Sequence, residues 1–349
     1  MTTPTTTPPT PTLQPIGELL ARIALAPQQT HKALTLWPLL LREDAPVSHE
    51  AGYVLLARAL EDGTVQIDEV SEGGSVPHVR VTNRGVQDVL FLFGEEIRGA
   101  KQNRIANASF LVPAHSELVI DVSCVEQGRW GRRGRGGFGS SGEVVSHQMR
   151  AKMAYKVAES RRRGGRFEAD QMEVWHDVGE RLAHAHTASA TDSYEDYIRS
   201  RQSDLSDMLA AFRPLERQVG FVAVAGGEVV GLEAIGRAEI FAERFEGLVR
   251  SYAVDAIDAA LGRRERERAL PRYDSPETFL AALGRAPVER GPLSAWAMTS
   301  ASRAKASPAA PWSRARSSTS RRSPRSRRPQ LPMWDDSLSV PLAGYTDQR

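Results

Sequence analysis

The sequence has a single cysteine and no long apolar segment. Cys124 stands alone, which excludes an internal disulfide and any cysteine-rich zinc site. No apolar run approaches the roughly 20 residues that span a bilayer, and the first residues lack the basic and apolar parts of a secretory signal. We therefore expect a cytoplasmic protein that has no contact with a membrane.

Charge is unevenly distributed along the chain. The formal net charge is +2, with 45 basic and 43 acidic side chains. Residues 301–330 contain nine basic and no acidic residues, so the remainder has 36 basic and 43 acidic side chains and a net charge of −7. An acidic body argues against a nucleic-acid-binding surface. The one form of nucleic-acid binding that this charge distribution leaves open is non-specific binding by the basic segment.

Composition divides the chain into three parts. Residues 1–30 begin with Thr and Pro repeats, which cannot bury apolar surface, and are predicted to form a disordered lead. Residues 31–292 have the composition of a single domain. Residues 293–349 are rich in Ser, Arg and Pro without a hydrophobic period, which predicts a disordered basic tail. GC-rich coding DNA that is read out of frame yields the same composition, so a genuine tail and a frameshift both stay open.

The hydrophobic pattern predicts an α+β fold in which the strands come first. Residues 34–127 contain short aliphatic and β-branched runs, which predict an N-terminal antiparallel β-sheet or sandwich. Residues 128–142 are rich in Gly and Arg and are predicted to be a flexible loop. Apolar residues recur at helical spacing across residues 143–290, which predicts a mainly helical half. One β-hairpin is expected there, with its turn at Gly226 and Gly227.

The densest polar stretch follows an apolar strand and has the sequence FLFGEEIRGAKQNRIAN from residue 91. Glu95 and Glu96 are candidate catalytic carboxylates, but neighbours in a strand point to opposite faces, so only one can work in a given pocket. Such a glutamate could act as a general base or bind a divalent metal such as Mg²⁺. An alternative is a charge-rich turn exposed to solvent. The candidate groups for binding phosphate or sugar hydroxyls are Lys101, Gln102, Asn103 and Arg104.

The second polar stretch, SCVEQGRW, ends another apolar strand. Glu126 is a third candidate catalytic residue, and Arg129 and Trp130 are candidate ligand-binding residues, with the indole available to stack on a base or sugar. Cys124 and Arg129 have the spacing of sulfur-transfer loops, which makes Cys124 a candidate nucleophile. A packed core cysteine is the interpretation that we prefer, because a thiol at the end of an apolar strand is commonly buried and inert.

These segments resemble the ARG and rhodanese-phosphatase-superfamily-associated protein domain family. The resemblance rests on SVPHVRVTN, GEEIRGAKQNRIAN and LVPAHSELVIDVSCVEQGRW, together with TDSYEDY and the Gly-Gly hairpin, within residues 34–262. The name of the family reflects association with other domains, which points toward ADP-ribose or phosphate-containing metabolites. The chain departs from the family pattern at its end, where the Ser/Arg/Pro tail stands in place of closing strands.

Two functions of different classes follow. The first is an enzyme or ligand-binding domain for a phosphorylated or nucleotide-type small molecule, with Glu95 or Glu96 as base or metal ligand. In this function Glu126 orients Arg129, and Trp130 forms a wall of the pocket. The second is a non-catalytic interaction module whose polar cluster stabilises the sheet and its exit loop. Both require the two polar stretches to meet in the folded chain.

Overall fold

A computed structural model describes residues 14–45, 52–131, 137–262, 273–286, 297–299 and 337–341. The first elements in chain order are α1 (Gln14–Arg22), β1 (Ile23–Leu25), β2 (Gln29–His31), β3 (Leu34–Leu41), β4 (Tyr53–Leu55), α2 (Leu56–Glu61), β5 (Val65–Glu69), β6 (His78–Asn83), β7 (Asp88–Phe91), β8 (Glu95–Gly99), β9 (Arg104–Ala106), β10 (Phe110–Val112), β11 (Ser116–Cys124) and β12 (Phe138–Val144). The elements that follow are α3 (His147–Arg162), α4 (Gln171–His184), α5 (Tyr194–Ser200), α6 (Gln202–Ala210), β13 (Gln218–Ala225), β14 (Glu228–Ile235), α7 (Ala238–Ala260), α8 (Pro276–Arg285), β15 (Ala297–Thr299) and β16 (Ser337–Pro341).

The fold is α+β, as the hydrophobic pattern predicts. Short strands dominate up to β12, and helices dominate after it. The described strands pair antiparallel, with the exception of β4 and β7, which run parallel. The predicted antiparallel sheet is therefore confirmed, with this one parallel pair among the described strands.

The described strands form three sheets. One has the order β1-β3-β13-β14-β16, with β2 added on β3, and a second has the order β10-β7-β4. The third has the order β12-β8-β9-β11-β6-β5, with β15 added on β11. The third sheet carries both predicted polar stretches, because β8 and β9 hold the first and β11 leads into the second.

The predicted hairpin in the helical half is β13–β14. Gly226 and Gly227 have φ values of +60° and +83°, the left-handed conformation that tight hairpin turns need. The hairpin pairs with β3 from the other half of the chain, from Leu34 to Leu40. The strand-rich and helical halves therefore share one sheet.

Hydrophobic residues cover both faces of this shared sheet. Successive residues of β13 point to opposite sides, so Phe221 packs in a core with α3, α4 and α7, and Val222 packs in a core with α8. A separate hydrophobic core is formed by residues of the second sheet, the third sheet and α2. Burial of these faces is the main stabilising contribution to the fold.

The structure differs from the sequence prediction at three places. Helix α1 lies within the expected lead, and β15 and β16 lie within the expected tail. Strand β12 begins at Phe138, inside the expected loop, and pairs with β8. The pairing uses backbone N–H and C=O groups, which glycine has like any other non-proline residue. Residues 1–13 of the lead, most of the tail and residues 132–136 of the loop lie outside the described residues.

No helix within the described ranges is long and apolar enough to cross a membrane. The 23-residue helix α7 is the longest of them, and it buries charged residues such as Arg244, Asp255 and Asp258 along its length.

Candidate functional site

The first polar stretch begins at a tight turn before β8. Gly94 has a φ of +76°, which favours glycine, and a Cβ there would collide with the side chain of Arg150. Strand β8 then places Glu95 and Glu96 on opposite faces. Both carboxylates are fully buried, which differs from the solvent-exposed turn considered as an alternative.

Glu95 faces the helical half. Its Oε2 accepts a hydrogen bond from the backbone N–H of Leu92 at 3.0 Å, and its Oε1 lies 3.6 Å from Nη1 of Arg244 on α7. Burial raises the pKa of Glu95, and the charge of Arg244 and the Leu92 bond oppose that effect only in part. Glu95 therefore contacts α7 and not the ligand-binding candidates that follow it in sequence.

Glu96 points to the other side of the sheet. Its Oε2 accepts a hydrogen bond from Nε of Arg98 at 2.7 Å, and Oε1 has no hydrogen-bond partner among the described residues. Burial raises the pKa of Glu96 to about 7, although Arg98 favours the charged form. A carboxyl with this pKa can both accept and donate a proton near neutral pH.

The two polar stretches meet at Arg129. Its Nη2 donates to Oε2 of Glu126 at 2.6 Å and to Oδ1 of Asn103 at 3.1 Å. Its Nη1 donates to the backbone oxygens of Ala100 and Gly131, both at 2.8 Å. One guanidinium group thus holds the tip of the β8–β9 hairpin against the segment that follows β11.

Glu126 is enclosed by hydrogen-bond donors. Its Oε1 accepts from the hydroxyl of Thr191 at 2.9 Å, and its Oε2 also accepts from the backbone N–H of Asn103 at 3.2 Å. Burial alone would raise the pKa of Glu126, but the hydrogen bonds from Arg129, Thr191 and Asn103 together hold it below its usual value. With both oxygens occupied, Glu126 is placed to orient Arg129.

Gln102 and Arg104 extend the network toward β5. The Gln102 side chain donates to the backbone oxygen of Glu126 at 3.0 Å and accepts from Nη1 of Arg104 at 3.0 Å. Arg104 is fully buried, with Nη2 3.6 Å from Oε1 of Glu69. Protein groups therefore surround both of these ligand-binding candidates.

Lys101 and Trp130 lie on the accessible side of the network. Trp130 is 50% exposed, and Nζ of Lys101 lies 5.1 Å from the centre of its ring. The guanidinium carbon of Arg104 lies 5.9 Å from the same point. An exposed indole beside two cations offers a stacking surface for a planar anionic ligand.

Cys124 is packed in the interior. Its thiol is fully buried and lies 3.3 Å from the backbone oxygen of Glu126, while Gln171 hydrogen-bonds both the N–H and the C=O of Cys124 at 2.8 Å. Burial raises the pKa of the Cys124 thiol. Because the thiolate is the nucleophilic form, this environment matches the packed core cysteine that we prefer.

Sequence reasoning missed Glu195, which joins the site from α5. Its Oε2 accepts a hydrogen bond from the amide of Asn103 at 3.3 Å, and its Oε1 lies 3.5 Å from Nη1 of Arg98. Glu195 therefore connects the Glu96–Arg98 pair to the Arg129 network. The available signal was the segment TDSYEDY, which contains both Thr191 and Glu195.

Sequence reasoning also missed a buried ion-pair network in the helical half. Arg181 is fully buried and contacts Asp177 at 2.7 Å, Asp255 at 2.9 Å and Asp258 at 3.1 Å. The signal was the presence of charged residues at inward-facing positions of otherwise apolar helices. Only their folded positions show that these charges compensate one another.

The carboxylates of the site do not form a metal cluster. In the part of the chain that the structure describes, no group of three or more His, Cys, Asp or Glu side chains is arranged to hold a metal ion. Glu95 and Glu96 diverge to opposite faces, so the two adjacent candidates for Mg²⁺ binding are not brought to one point.

The fold and the site define an α+β protein with a buried ion-pair network at the tip of a β-hairpin. The chain belongs to the ARG and Rhodanese-Phosphatase-superfamily-associated Protein domain family, whose model matches residues 22–308. This match confirms the resemblance found in the two polar stretches and extends it at both ends. No curated protein and no solved structure matches the chain.

Proposed function

We propose that this chain binds a phosphorylated or nucleotide-type small molecule, such as ADP-ribose, at the tip of the β8–β9 hairpin in the cytoplasm, and that Glu96 exchanges a proton with it. The observation that carries the proposal is a buried carboxyl with a pKa of about 7 held by Arg98, whose side chain is 32% exposed. Strongly perturbed carboxyls cluster at functional sites. A ligand that reaches Arg98 from solvent comes close to Glu96.

The other residues have separate roles in this proposal. Trp130 supplies a half-exposed ring for a base or sugar, and Lys101 beside it supplies positive charge for phosphate. Glu126 orients Arg129 through their 2.6 Å ion pair. That pair keeps the tip of the hairpin in one conformation, which is the pre-organisation that binding requires.

A structural role for the network is the second candidate. It is favoured by the mutual hydrogen bonding of Asn103, Glu126 and Arg129, which are all buried. In that case the chain is a non-catalytic interaction module, and the network stabilises the sheet and its exit loop. Substitution of one residue of the network would then change the stability of the protein, and neither the variant nor the wild type would respond to a ligand.

A thermal-shift screen separates the two candidates. The panel contains ADP-ribose, nucleotides, sugar phosphates and divalent metals including Mg²⁺, and stabilisation by a ligand should grow with the logarithm of its concentration. Glu96→Gln and Trp130→Ala should reduce the response to the ligand that stabilises the wild type. Glu61→Gln, which changes an exposed carboxylate on α2, is the matched control and should respond as the wild type does.

The result that contradicts the proposal is also defined. It is a folded Glu96→Gln variant whose ligand response, and the pH dependence of that response, equal those of the wild type. A wild-type protein that responds to no member of the panel supports the interaction module.

A further inference from the structure

A serine, a histidine and an aspartate contact one another in succession at the start of β6. Oγ of Ser75 lies 3.2 Å from Nδ1 of His78, and Nε2 of the same ring lies 3.2 Å from Oδ1 of Asp121. The second contact has the distance of an ion pair without the alignment of a hydrogen bond. His78 and Asp121 are cross-strand partners in the register of β6 and β11, so strand pairing brings these two groups together.

The three side chains differ in their access to solvent. Ser75 is half-buried, and the side chains of His78 and Asp121 are 27% and 3% exposed. Ser75 directly follows Gly74, which has a φ of +76° and whose N–H closes a tight turn on the backbone oxygen of Ser71 at 3.0 Å. A reactant from solvent can therefore reach the hydroxyl and the imidazole, while the carboxylate stays behind them. Nucleophilic catalysis by serine requires this order of nucleophile, base and orienting group.

Asp121 is itself held in place. Its Oδ1 accepts a hydrogen bond from Nε of Arg166 at 2.8 Å, and its Oδ2 accepts one from the backbone N–H of Phe167 at 3.2 Å. A fixed carboxylate beside Nε2 of His78 favours the tautomer that has its proton on this nitrogen. Nδ1 is then unprotonated and can accept the hydroxyl proton of Ser75. Catalytic hydrogen bonds commonly become aligned only when substrate is bound, which accommodates the poor alignment at Asp121.

The protonation of His78 suits the role of a base. Burial lowers the pKa of His78, and the positive charge of Arg166 lowers it further, while Asp121 and Glu168 oppose these effects in part. The imidazole is therefore neutral at pH 7. Neutral imidazole is the form that takes a proton from a hydroxyl group.

Positive charge lies beside the turn that carries Ser75. Nζ of Lys101 donates to the backbone oxygens of Glu72 at 2.8 Å and Gly73 at 2.5 Å, and Nη2 of Arg104 donates to the backbone oxygen of Ser75 at 3.4 Å. An ammonium group has three donors, so the two backbone contacts leave one for an oxyanion that forms next to Ser75. Donors placed where negative charge develops are a major contribution to catalysis of acyl transfer.

We propose that Ser75 and His78 are the nucleophile and the general base of a site that hydrolyses carboxylic esters, with Asp121 as the positioning residue. This activity goes beyond the proposed function and does not require it. Oγ of Ser75 bonds to the acyl carbon, its proton passes to Nδ1 of His78, and that proton leaves with the alcohol as the ester bond breaks. Water then attacks the acyl-serine and gives one proton to Nδ1, which returns it to Ser75 as the carboxylic acid is released.

The first test is hydrolysis of p-nitrophenyl acetate by the full chain. Ser75→Ala and His78→Gln should each lower kcat/KM at least about 100-fold, because each removes a group that the acyl transfer needs. Ser71→Ala is the matched control, since Ser71 is an exposed serine in the same turn, and it should stay within about twofold of the wild type. Absence of hydrolysis by the wild type, or a Ser75→Ala variant as active as Ser71→Ala, overturns the proposal.

A second measurement needs no variant. A fluorophosphonate reagent reacts with an activated serine, whose Oγ bonds to phosphorus as fluoride departs. Peptide mass spectrometry of the treated wild-type chain should find the modification at Ser75. A chain that is unmodified at Ser75 after this treatment overturns the role of Ser75 as nucleophile.

The role of Asp121 is tested by the pH dependence of kcat/KM. The midpoint for the wild type should lie below pH 6.5, the ordinary value for histidine. Asp121→Asn removes a negative charge that favours protonated His78, so it should move this midpoint to lower pH and also reduce kcat. Glu117→Gln is the matched control, because Glu117 is another β11 carboxylate, 3.3 Å from Nε of Arg80 on β6, and it should leave the midpoint unchanged. An unchanged midpoint in Asp121→Asn overturns the positioning role.

Discussion

At the scale of single residues, Glu96 and Glu126 show how two buried carboxyls in one network acquire opposite properties. Glu96 accepts a hydrogen bond from Arg98 on one oxygen, and burial dominates, so its pKa rises to about 7. Glu126 accepts from Arg129, Thr191 and a backbone N–H, and these donors lower its pKa despite burial. The balance between burial and the hydrogen-bond donors around each carboxyl decides which of them can exchange a proton near neutral pH.

Glu96→Gln should change the pH dependence of stability. The folded-state pKa of about 7 lies above the ordinary value of 4.5. Ionisation of Glu96 therefore does not affect stability below pH 4.5, lowers it progressively as the pH rises from 4.5, and has its full effect above pH 7. The shift corresponds to about 3 kcal/mol. The wild type should lose up to that amount relative to Glu96→Gln between pH 4.5 and 8, as measured by urea unfolding at both pH values.

The control for this measurement is Glu61→Gln, which should follow the wild type at both pH values because Glu61 is exposed on α2. A stability difference between Glu96→Gln and wild type that is the same at pH 4.5 and pH 8 would show that Glu96 does not titrate in this range.

Glu126→Ala should be strongly destabilising. It leaves the guanidinium of Arg129 buried without its 2.6 Å partner, and breaking a buried ion pair in this way costs about 3–5 kcal/mol. Thr191→Val removes only one donor to the same carboxylate and should cost about 1 kcal/mol. Denaturant unfolding at pH 7 measures both, and equal losses in the two variants would contradict the role given to Arg129.

At the scale of elements, the β8–β9 hairpin depends on the turn that precedes it. Gly94 combines a left-handed φ with close contact to Arg150, so the turn fixes where Glu95 and Glu96 enter the strand. The hairpin tip is then held from outside by Arg129. Local backbone geometry and one long-range side chain thus position the same element.

Gly94→Ala and Gly179→Ala should have opposite effects on stability. At Gly94 both the positive φ and the contact with Arg150 oppose a methyl group, and we expect a loss of about 2 kcal/mol or more. Gly179 is exposed on α4 with open space around it, where alanine should stabilise the helix by about 0.5–1 kcal/mol. Thermal unfolding of the two variants measures this, and a Gly94→Ala variant as stable as the wild type would contradict the strain assigned to Gly94.

Elements with a clear hydrophobic period or turn chemistry were predictable from the sequence. The β13–β14 hairpin follows from Gly226 and Gly227 between apolar strands, and α7 follows from its repeated apolar residues. Strand β12 was not predictable, because its FGSSGEV sequence has little β propensity and its pairing with β8 uses backbone groups. Tertiary pairing, which no local pattern reports, decides the conformation there.

The composition of the site was predictable only in part, for a related reason. Asn103, Glu126 and Arg129 lie within 27 residues and could be associated by proximity in sequence. Glu195 joins them from helix α5, 92 residues beyond Asn103. The meeting of such residues depends on the packing of α5 against the segment after β11, which the sequence does not encode locally.

At the scale of the whole molecule, the two halves are joined by one sheet. Strand β3 from the strand-rich half pairs with β13 from the helical half, and the main core includes residues of both halves. The shared sheet therefore needs residues of both halves to cover its two faces. The division of the domain into a β-rich part and a helical part therefore describes the sequence order and not two independent units.

The described domain should consequently unfold in one cooperative transition. Far-UV circular dichroism, which reports the helices, and tryptophan fluorescence, to which Trp37 on β3 contributes, should give the same midpoint in denaturant. Phe221→Ala at the buried junction should lower both midpoints together, with a loss of about 3–5 kcal/mol. Separate midpoints for the two probes would mean that the halves fold independently.

The segment after β11 and the start of α5 are tied by a short ribbon of backbone hydrogen bonds. Gly128 N–H donates to Thr191 O at 2.8 Å, and Tyr194 N–H donates to Val125 O at 2.9 Å. Any side chain larger than hydrogen at Gly128 would press on the backbone of Thr191. Substitutions and changes of length in these two segments should therefore be correlated among members of the family, even though more than 60 residues of chain separate the segments.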